Sequence, residues 1–274
     1  MRLPAVHRRP RRTLAVLLAS AALAAPPAAA AQETGSSDFN WRGEVAPGGW
    51  LRVRNVNGQM RVEAAPGNQI EVTATKRWRR GDPEDVRIEV KRVGANDGDV
   101  LICALWNETS SCDERGYHGN SSGRNRNNDV SVDFVVKLPK GTKVDVSTVN
   151  GSVRIEGATA AVRAGTVNGG INAVSSGGPV TAATVNGDVN VRMGSTGASE
   201  DLHYATVNGS ITVEVPGALD ADVEMTTVNG GLSSDYPMTV QGRMNPRHLR
   251  ATIGKGGRQL KFTTVNGNVR LVKR

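Results

Sequence analysis

The chain has 274 residues, of which 38% are hydrophobic, 4% aromatic and 22% charged, and its formal net charge is +8. Two cysteines and four histidines, none at metal-ligand spacing from one another, do not support a zinc site. No run approaches the ~20 apolar residues that a membrane-spanning helix requires, so the sequence predicts no transmembrane segment.

Residues 1–31 have the organisation of a secretory signal peptide. Five arginines precede an apolar run over residues 14–25, and small residues then lead to a cleavage site after Ala31. The pair Arg11 and Arg12 leaves both general secretory and twin-arginine export open. Cleavage would remove the five arginines and lower the net charge to +3. We therefore predict an exported protein of the periplasm, cell surface or exterior, with no specific nucleic-acid binding.

Residues 32–38 are predicted to be a flexible linker and residues 39–274 a β-strand-repeat domain. A basic cluster with one aromatic residue lies early in this domain. Its members are Lys76, Arg77, Trp78, Arg79 and Arg80. An aromatic ring among cations can contact a polyanion such as nucleic acid or an anionic envelope polymer. The alternative is the solvated end of an edge strand, whose charges discourage pairing with other chains.

Cys103 and Cys112 close a short loop. In the oxidising compartment that the signal peptide predicts, we expect a structural disulfide, with a chain-entropy stabilisation of ~2.7 kcal/mol for a loop of this length. The spacing is not Cys-x-x-Cys, which disfavours a redox-active pair. The chain after Cys112 is rich in Gly, Ser, Asn and Arg, so we predict a disulfide-linked excursion from the repeat at residues 103–129.

A four-residue phrase, Thr-Val-Asn-Gly, recurs six times, and a variant stands at residues 55–58. The steps between its asparagines are 18, 18, 22, 21 and 37 residues. Such self-similarity indicates a unit that buries its apolar face by stacking on copies of itself. Stacked asparagines would gain from an amide ladder. The predicted ladder residues are Asn57, Asn150, Asn168, Asn186, Asn208, Asn229 and Asn266.

Apolar and polar residues alternate on both sides of the phrase. Val162 and Ala164 share their parity with Thr166 and Asn168, and after the glycine the parity flips, as at Ile171. Period two marks strands with one buried face, and no segment has a helical apolar period, so the protein is predicted to be all-β. This parity buries the threonines and asparagines and leaves the valines outside. The predicted outward stripe is Val56, Val149, Val167, Val185, Val207, Val228 and Val265.

Two architectures fit this pattern. The first is a repeat β-solenoid, resembling a single-stranded β-helix, with two short strands in each rung of 18–22 residues. The second is an antiparallel meander, because Asn-Gly is also a strong signal for a two-residue hairpin. A hairpin would accept Asp-Gly or Gly-Gly as well, whereas the whole phrase returns almost unchanged. We therefore favour the solenoid.

The repeated units resemble the bacterial "putative adhesin" family, a domain of unknown function found in exported proteins. Besides Thr-Val-Asn-Gly, the resemblance rests on Asp-Phe-Val-Val at residues 133–136, followed by a Pro-Lys-Gly turn, and on Ile-Gly-Lys-Gly-Gly at residues 253–257. It extends over about residues 39–274. The resemblance implies an exported β-helix-like fold in the bacterial envelope, and it supplies no catalytic residues.

Few residues point to chemistry. Residues 119–123 match Gly-x-Ser-x-Gly, but they lie in a polar loop with no helix after them, so we interpret the match as accidental. Glu214 and Glu224 are the only carboxylates on adjacent regular rungs, and their parities place them on different faces. No cofactor is expected. A second excursion is predicted at residues 235–248, which contain two prolines.

We therefore expect a non-catalytic envelope protein, an adhesin-like, scaffold or sensing solenoid. Its partner would be an envelope polymer or protein, and binding residues would lie in the two excursions. The alternative is a secreted polysaccharide-processing β-helix enzyme with its site near residues 103–129. The identity of the ligand and the oligomeric state do not follow from the sequence.

Overall fold

The protein is all-β. A computed structural model describes residues 35–119, 128–197, 200–242 and 245–274; the predicted signal peptide lies outside these ranges. Two single-turn 3-10 helices, Pro83–Asp85 and Ala95–Asp97, are the only helical segments described. The strands, in chain order, are β1 (Gly35–Gly43), β2 (Trp50–Arg54), β3 (Met60–Ala64), β4 (Ile70–Trp78), β5 (Val86–Val93), β6 (Asp99–Trp106), β7 (Ser111–Cys112), β8 (Tyr117–His118), β9 (Ser131–Leu138), β10 (Lys143–Ser147), β11 (Val153–Ala158), β12 (Val162–Gly165), β13 (Ile171–Ser175), β14 (Val180–Ala183), β15 (Val189–Met193), β16 (Leu202–Ala205), β17 (Ile211–Val215), β18 (Ala221–Thr226), β19 (Leu232–Ser234), β20 (Thr239–Val240), β21 (His248–Ile253), β22 (Arg258–Thr263) and β23 (Val269–Lys273).

Two large sheets face each other across the core. Sheet A has the order β1-β4-β9-β3-β11-β13-β15-β17-β23-β19, and sheet B has the order β20-β21-β18-β22-β16-β14-β12-β10-β2-β6-β5. A small third sheet pairs β7 with β8. Buried residues alternate along the strands and fill the space between sheets A and B, as the period-two pattern predicts.

Stacked parallel rungs, rather than hairpins, build the repeat. Strand β12 pairs in parallel with β10 and β14, the equivalent strands of the neighbouring repeats, and β13 pairs in the same way with β11 and β15. In a meander of Asn-Gly hairpins, β12 and β13 would pair with each other instead. The seven rungs are β2–β3, β10–β11, β12–β13, β14–β15, β16–β17, β22–β23 and β18–β19. The stacking is solenoid-like, and the meander is not favoured.

The last repeat is not at the end of the stack. Rung β22–β23 lies between β16–β17 and β18–β19, so that the corner of Asn266 stands between those of Asn208 and Asn229. The 37-residue step between the last two asparagines accounts for this order. Its strands β20 and β21 cover the outer edge of β18 in antiparallel pairing, and the chain then returns to the other edge of β18.

Three segments differ from the sequence expectations. Residues 35–38 of the expected linker belong to β1, which pairs along its whole length with β4. The expected first excursion contains ordered sheet: residues 103–106 are the end of β6, between β2 and β5. The expected second excursion, residues 235–248, contributes β20 to sheet B. Backbone pairing with neighbouring strands explains all three, and turn-like composition does not reveal it.

Candidate functional site

The threonine of each repeated phrase has a structural role. The Thr184 hydroxyl donates to the carbonyl oxygen of Gly169 in the neighbouring rung at 2.9 Å, and Thr206 donates to Gly187 at 2.9 Å. All six threonines are buried, as the parity predicts. Each therefore satisfies its own hydroxyl and a carbonyl oxygen of the adjacent corner, which removes the cost of burying either group alone.

The asparagines form a ladder of amide hydrogen bonds. The Asn186 amide nitrogen donates to the side-chain oxygen of Asn168 at 2.8 Å, and Asn208 donates to Asn186 at the same distance. The seven residues make six such bonds of 2.7–2.8 Å. The prediction that they are buried is wrong: six are exposed and Asn57 is half-buried. The strands end before the phrase, so the chain turns and the alternation does not continue to the asparagine.

The valines of the phrase lie outside, beside this ladder. Five of them, at positions 167, 185, 207, 228 and 265, are 37–49% exposed, and Val56 and Val149 are half-buried. The corner surface is therefore a narrow apolar stripe next to amides that already bond to one another. Each amide between the two ends of the ladder uses one N–H and its oxygen within the ladder, so it has fewer free groups than an unbonded asparagine.

A second polar column lies four residues after the ladder, on the outer face of sheet A. Asn172, Asn190 and Thr212 follow one another in register on β13, β15 and β17. Arg154 and Arg270 continue the column on either side. Within the described ranges the side chains of Asn172, Asn190 and Thr212 make no hydrogen bond, and both asparagines are exposed. We call this set of five residues the open column.

Ion pairs border the open column. Arg192 donates to both carboxylate oxygens of Glu214, at 2.5 and 3.1 Å, and Arg154 pairs with Glu156 at 2.5 Å. The hydrogen bond from Arg192 lowers the pKa of Glu214 below its ordinary value, and that same carboxylate raises the pKa of Arg192. The pair therefore stays ionised over the neutral range, and its geometry fixes the guanidinium beside the column.

Four residues of the open column, Arg154, Asn172, Asn190 and Thr212, line a shallow groove. One part, of about 410 Å³, extends from Arg154 across the two asparagines to Glu214, and a second part of about 440 Å³ reaches back to Ser152 and Asp188. The two parts share Arg154, Asn172 and Asn190, so they are continuous. None of the residues that line them is aromatic. The groove runs along the stacking axis, across successive rungs.

Comparison with known proteins identifies the family. The model of the Toastrack DUF4097 family matches residues 117–272. The chain belongs to the Toastrack family. No curated protein matches it.

Solved structures with limited similarity include a "putative cell adhesion protein" from Clostridium sporogenes, with 11% identity and a TM-score of 0.46 over 87% of this chain and 100% of that one. A "putative adhesin" from Bacteroides fragilis has 11% identity and a TM-score of 0.31 over 89% and 98% of the two chains.

Some groups of the basic cluster of this Toastrack protein make internal contacts, while the side chains of Arg77, Arg79 and Arg80 are exposed. Lys76 donates to the carbonyl oxygen of Pro83 at 2.9 Å, and Arg77 lies 3.5 Å from Asp133. The backbone N–H groups of Arg79 and Arg80 bond the carboxylate of Asp129. Trp78, the aromatic residue of the cluster, packs partly buried against the core. Strand β4 lies between β1 and β9 and is not an edge strand. The alternative interpretation of the cluster, as the end of an edge strand, is therefore wrong.

The disulfide excursion covers the outer face of sheet B. Cys103 and Cys112 are bonded, with 6.5 Å between their Cα atoms. They form a small apolar cluster with Leu101 and Leu105, against which Tyr117 packs. The excursion therefore has a packing role, and its residues 120–127 lie outside the described ranges.

An ionic network ties the same excursion to sheet B. Arg54 donates to both carboxylate oxygens of Asp145 at 2.9 Å and to the carbonyl oxygen of Glu114 at 2.8 Å. Arg52 lies 3.1 Å from Asp145 and 2.9 Å from Asp99. All four charged side chains are at most 15% exposed, so their charges are neutralised within the network rather than presented to a ligand.

The second excursion covers the core at the end of the stack opposite to β5. Tyr236 is buried, and its hydroxyl donates to the carbonyl oxygens of Val215 and Pro216 at 3.2 and 2.5 Å. Burial, and then the charge of Asp235, raises the pKa of Tyr236 to about 12. The described parts of both excursions thus contribute packing and capping contacts, and neither contains the open column.

Sequence reasoning missed the open column. The signal was present, because positions 172, 190 and 212 each stand four residues after a ladder asparagine.

Among the described residues no helix is long and apolar enough to cross a membrane, and no three His, Cys, Asp or Glu side chains converge as a metal site would require.

Proposed function

We propose that this Toastrack protein is a non-catalytic, adhesin-like binding module of the cell envelope. In this proposal it holds an extended, hydroxyl-rich polymer along the groove of sheet A. The observation that carries the proposal is the contrast between two amide columns. The ladder amides bond to one another, whereas those of Asn172 and Asn190 make no bond within the described ranges. Export of residues 32–274 after removal of the signal peptide is part of this proposal.

The chemistry of the open column suits a neutral glycan. Each asparagine amide offers donors and an acceptor, and sugar hydroxyls both donate and accept. The columns repeat at the strand spacing of about 4.8 Å, so successive rungs can contact successive parts of one chain. Without an aromatic ring to stack on a sugar, each contact is weak. Affinity would come from many contacts along the polymer.

The geometry of the carboxylates supports a non-catalytic role. Glu156 lies on β11 and Glu214 on β17, three rungs apart, which is about 14 Å at the usual strand spacing. Glycosidases place their two carboxyl groups within about 9.5 Å and raise the pKa of the acid. Here the pKa of Glu214 is lowered by Arg192, opposite to what a general acid requires.

The test is affinity capture with three matched proteins. Immobilised residues 32–274 are incubated with envelope extract and with a panel of neutral polysaccharides, and retained material is analysed for sugars. We expect a polymer to be retained by the wild type and lost from the variant Asn172→Ala/Asn190→Ala. The control Thr181→Ala/His203→Ala changes outward residues of the neighbouring strands β14 and β16 in sheet B and should retain the polymer. Equal retention by all three proteins, or cleavage of the polymer, would contradict the proposal.

A further inference from the structure

Val90 is an exposed apolar residue that the repeat does not explain. It is 39% exposed, and the other large apolar side chains exposed to this degree in the described part of the chain are the five corner valines. Val90 lies on β5, the edge strand of sheet B at the end of the stack where the described chain begins. An edge strand offers unpaired backbone N–H and C=O groups to an additional strand.

At the end of the stack beside β5, sheet A extends one strand further than sheet B, which leaves a step between the two sheets. Beyond the rung β2–β3, sheet A continues with β9, β4 and β1, whereas sheet B continues only with β6 and β5. Strand β1 therefore extends one strand position past β5. In the described part of the chain, no strand of sheet B lies opposite it.

Apolar side chains line this step. Phe39 and Trp41 of β1 stand in register with the buried Ala74 and Val72 of β4, so they are on the inner face, and both remain half-buried. On β5, Ile88 and Val90 share the inner face, because they pair with the buried Ala104 and Ile102.

An added strand beside β5 would gain backbone hydrogen bonds from its edge. It would also bury apolar side chains under β1.

A second copy of the chain does not fit this step by two-fold pairing of β5 with β5. That arrangement would place the β4 of one copy in the position that β1 of the other copy occupies, since sheet A is longer by one strand. A single extended strand without a second sheet meets no such obstacle.

The charge of β5 indicates the composition of that strand. Arg87 and Lys91 flank Glu89 on the outer face, at 2.9 and 2.6 Å, whereas Arg92 pairs with the buried Val100 and so shares the inner face with Val90. Two cations against one carboxylate leave the outer face of β5 positive, so acidic side chains on the outer face of an added strand would be favoured.

We propose that the edge of β5 takes up one extended segment of a partner protein, with apolar residues facing β1 alternating with acidic residues facing outwards. This segment would complete sheet B at the position opposite β1. The site is separate from the groove of sheet A.

The experiment uses a fluorescent synthetic peptide of the same length as β5 that alternates valine and glutamate. Its affinity for residues 32–274 is measured by fluorescence anisotropy. We expect binding that weakens about tenfold in Val90→Glu, because the contact of one valine is lost and a carboxylate would have to be buried beside the apolar side chains of the added strand. The matched control is Val228→Glu, at a corner valine that is 49% exposed, and it should leave the affinity unchanged.

Backbone methylation distinguishes strand addition from adhesion of a charged peptide. Two further peptides carry N-methyl groups on all valines or on all glutamates. Alternate N–H groups of a strand point to opposite sides, so one peptide should lose binding and the other should keep it. Equal binding of the two methylated peptides, no binding of the parent peptide at millimolar concentration, or a dimer that Val90→Glu dissociates would each overturn the proposal.

Discussion

Each residue of the Thr-Val-Asn-Gly phrase has a different position in the stack. Threonine donates inward to a glycine carbonyl, asparagine bonds laterally to its equivalents, and valine faces the solvent. Glycine is required by close approach: a Cβ on Gly169 would lie 2.2 Å from the carbonyl oxygen of Gly151, and the equivalent distances at the other ladder corners, from Gly151 to Gly267, are 1.9–2.2 Å. These contacts explain why the phrase returns almost unchanged.

Replacing Gly169 with alanine tests the requirement for close approach. The added Cβ must push two rungs apart, so we expect a loss of about 1–3 kcal/mol in the free energy of unfolding, measured by urea denaturation. The control is Gly165→Ala in the same repeat, where the nearest atom is Ser147 Cβ at 3.6 Å. If both variants lost the same stability, crowding between the corners would not be the reason for the glycine.

Residue parity predicted part of this arrangement. The alternation placed Thr166 and Thr184 on the buried side correctly, because the threonine directly follows the end of a strand. It failed for Asn168 and Asn186, which lie beyond the bend. Period two holds only while the backbone stays extended, and the sequence does not mark where that ends.

Among the secondary-structure elements, strands outside the regular rungs act as caps. A parallel stack exposes its core at both ends, and terminal segments must cover it. Here β1 and β4 cover one end, and β20, β21 and Tyr236 cover the other. The sequence indicated where the repeat was interrupted. It could not show that the interruptions return to the sheets, because that depends on backbone pairing between residues far apart in the chain.

The cap at Tyr236 predicts a specific dependence on pH. The pKa of its hydroxyl rises from 10.0 to about 12 on folding, so the unfolded chain releases this proton first as the pH increases. The stabilisation is complete below pH 10 and is lost as the pH rises from about 10 to about 12.

The comparison with Tyr236→Phe isolates this group, because every other titratable residue is the same in both proteins. The free energy of unfolding of the wild type should fall relative to that of Tyr236→Phe over this range. A constant difference between the two proteins from pH 9 to pH 12 would show that folding does not raise the pKa of Tyr236.

In the whole molecule, the two sheets carry different structural features. Sheet B carries the disulfide excursion, the ionic network of Arg52 and Arg54, and the free edge of β5. Sheet A presents the groove, over rungs with no excursion between them. The family and the all-β stacking could be predicted from the sequence. The insertion of β22–β23 inside the stack could not, since neighbouring repeats are nearly equivalent and only the returning β21 decides the order.

We propose that the open column, and not the ladder, contacts the ligand. The most direct measurement is a titration of ¹⁵N-labelled protein with the captured polymer, following the side-chain amide resonances of the asparagines. We predict shifts at Asn172 and Asn190, with Asn168 and Asn186 unchanged because their amides already bond to one another. Shifts confined to Asn168 and Asn186 would contradict the account and would place the ligand on the corner surface instead.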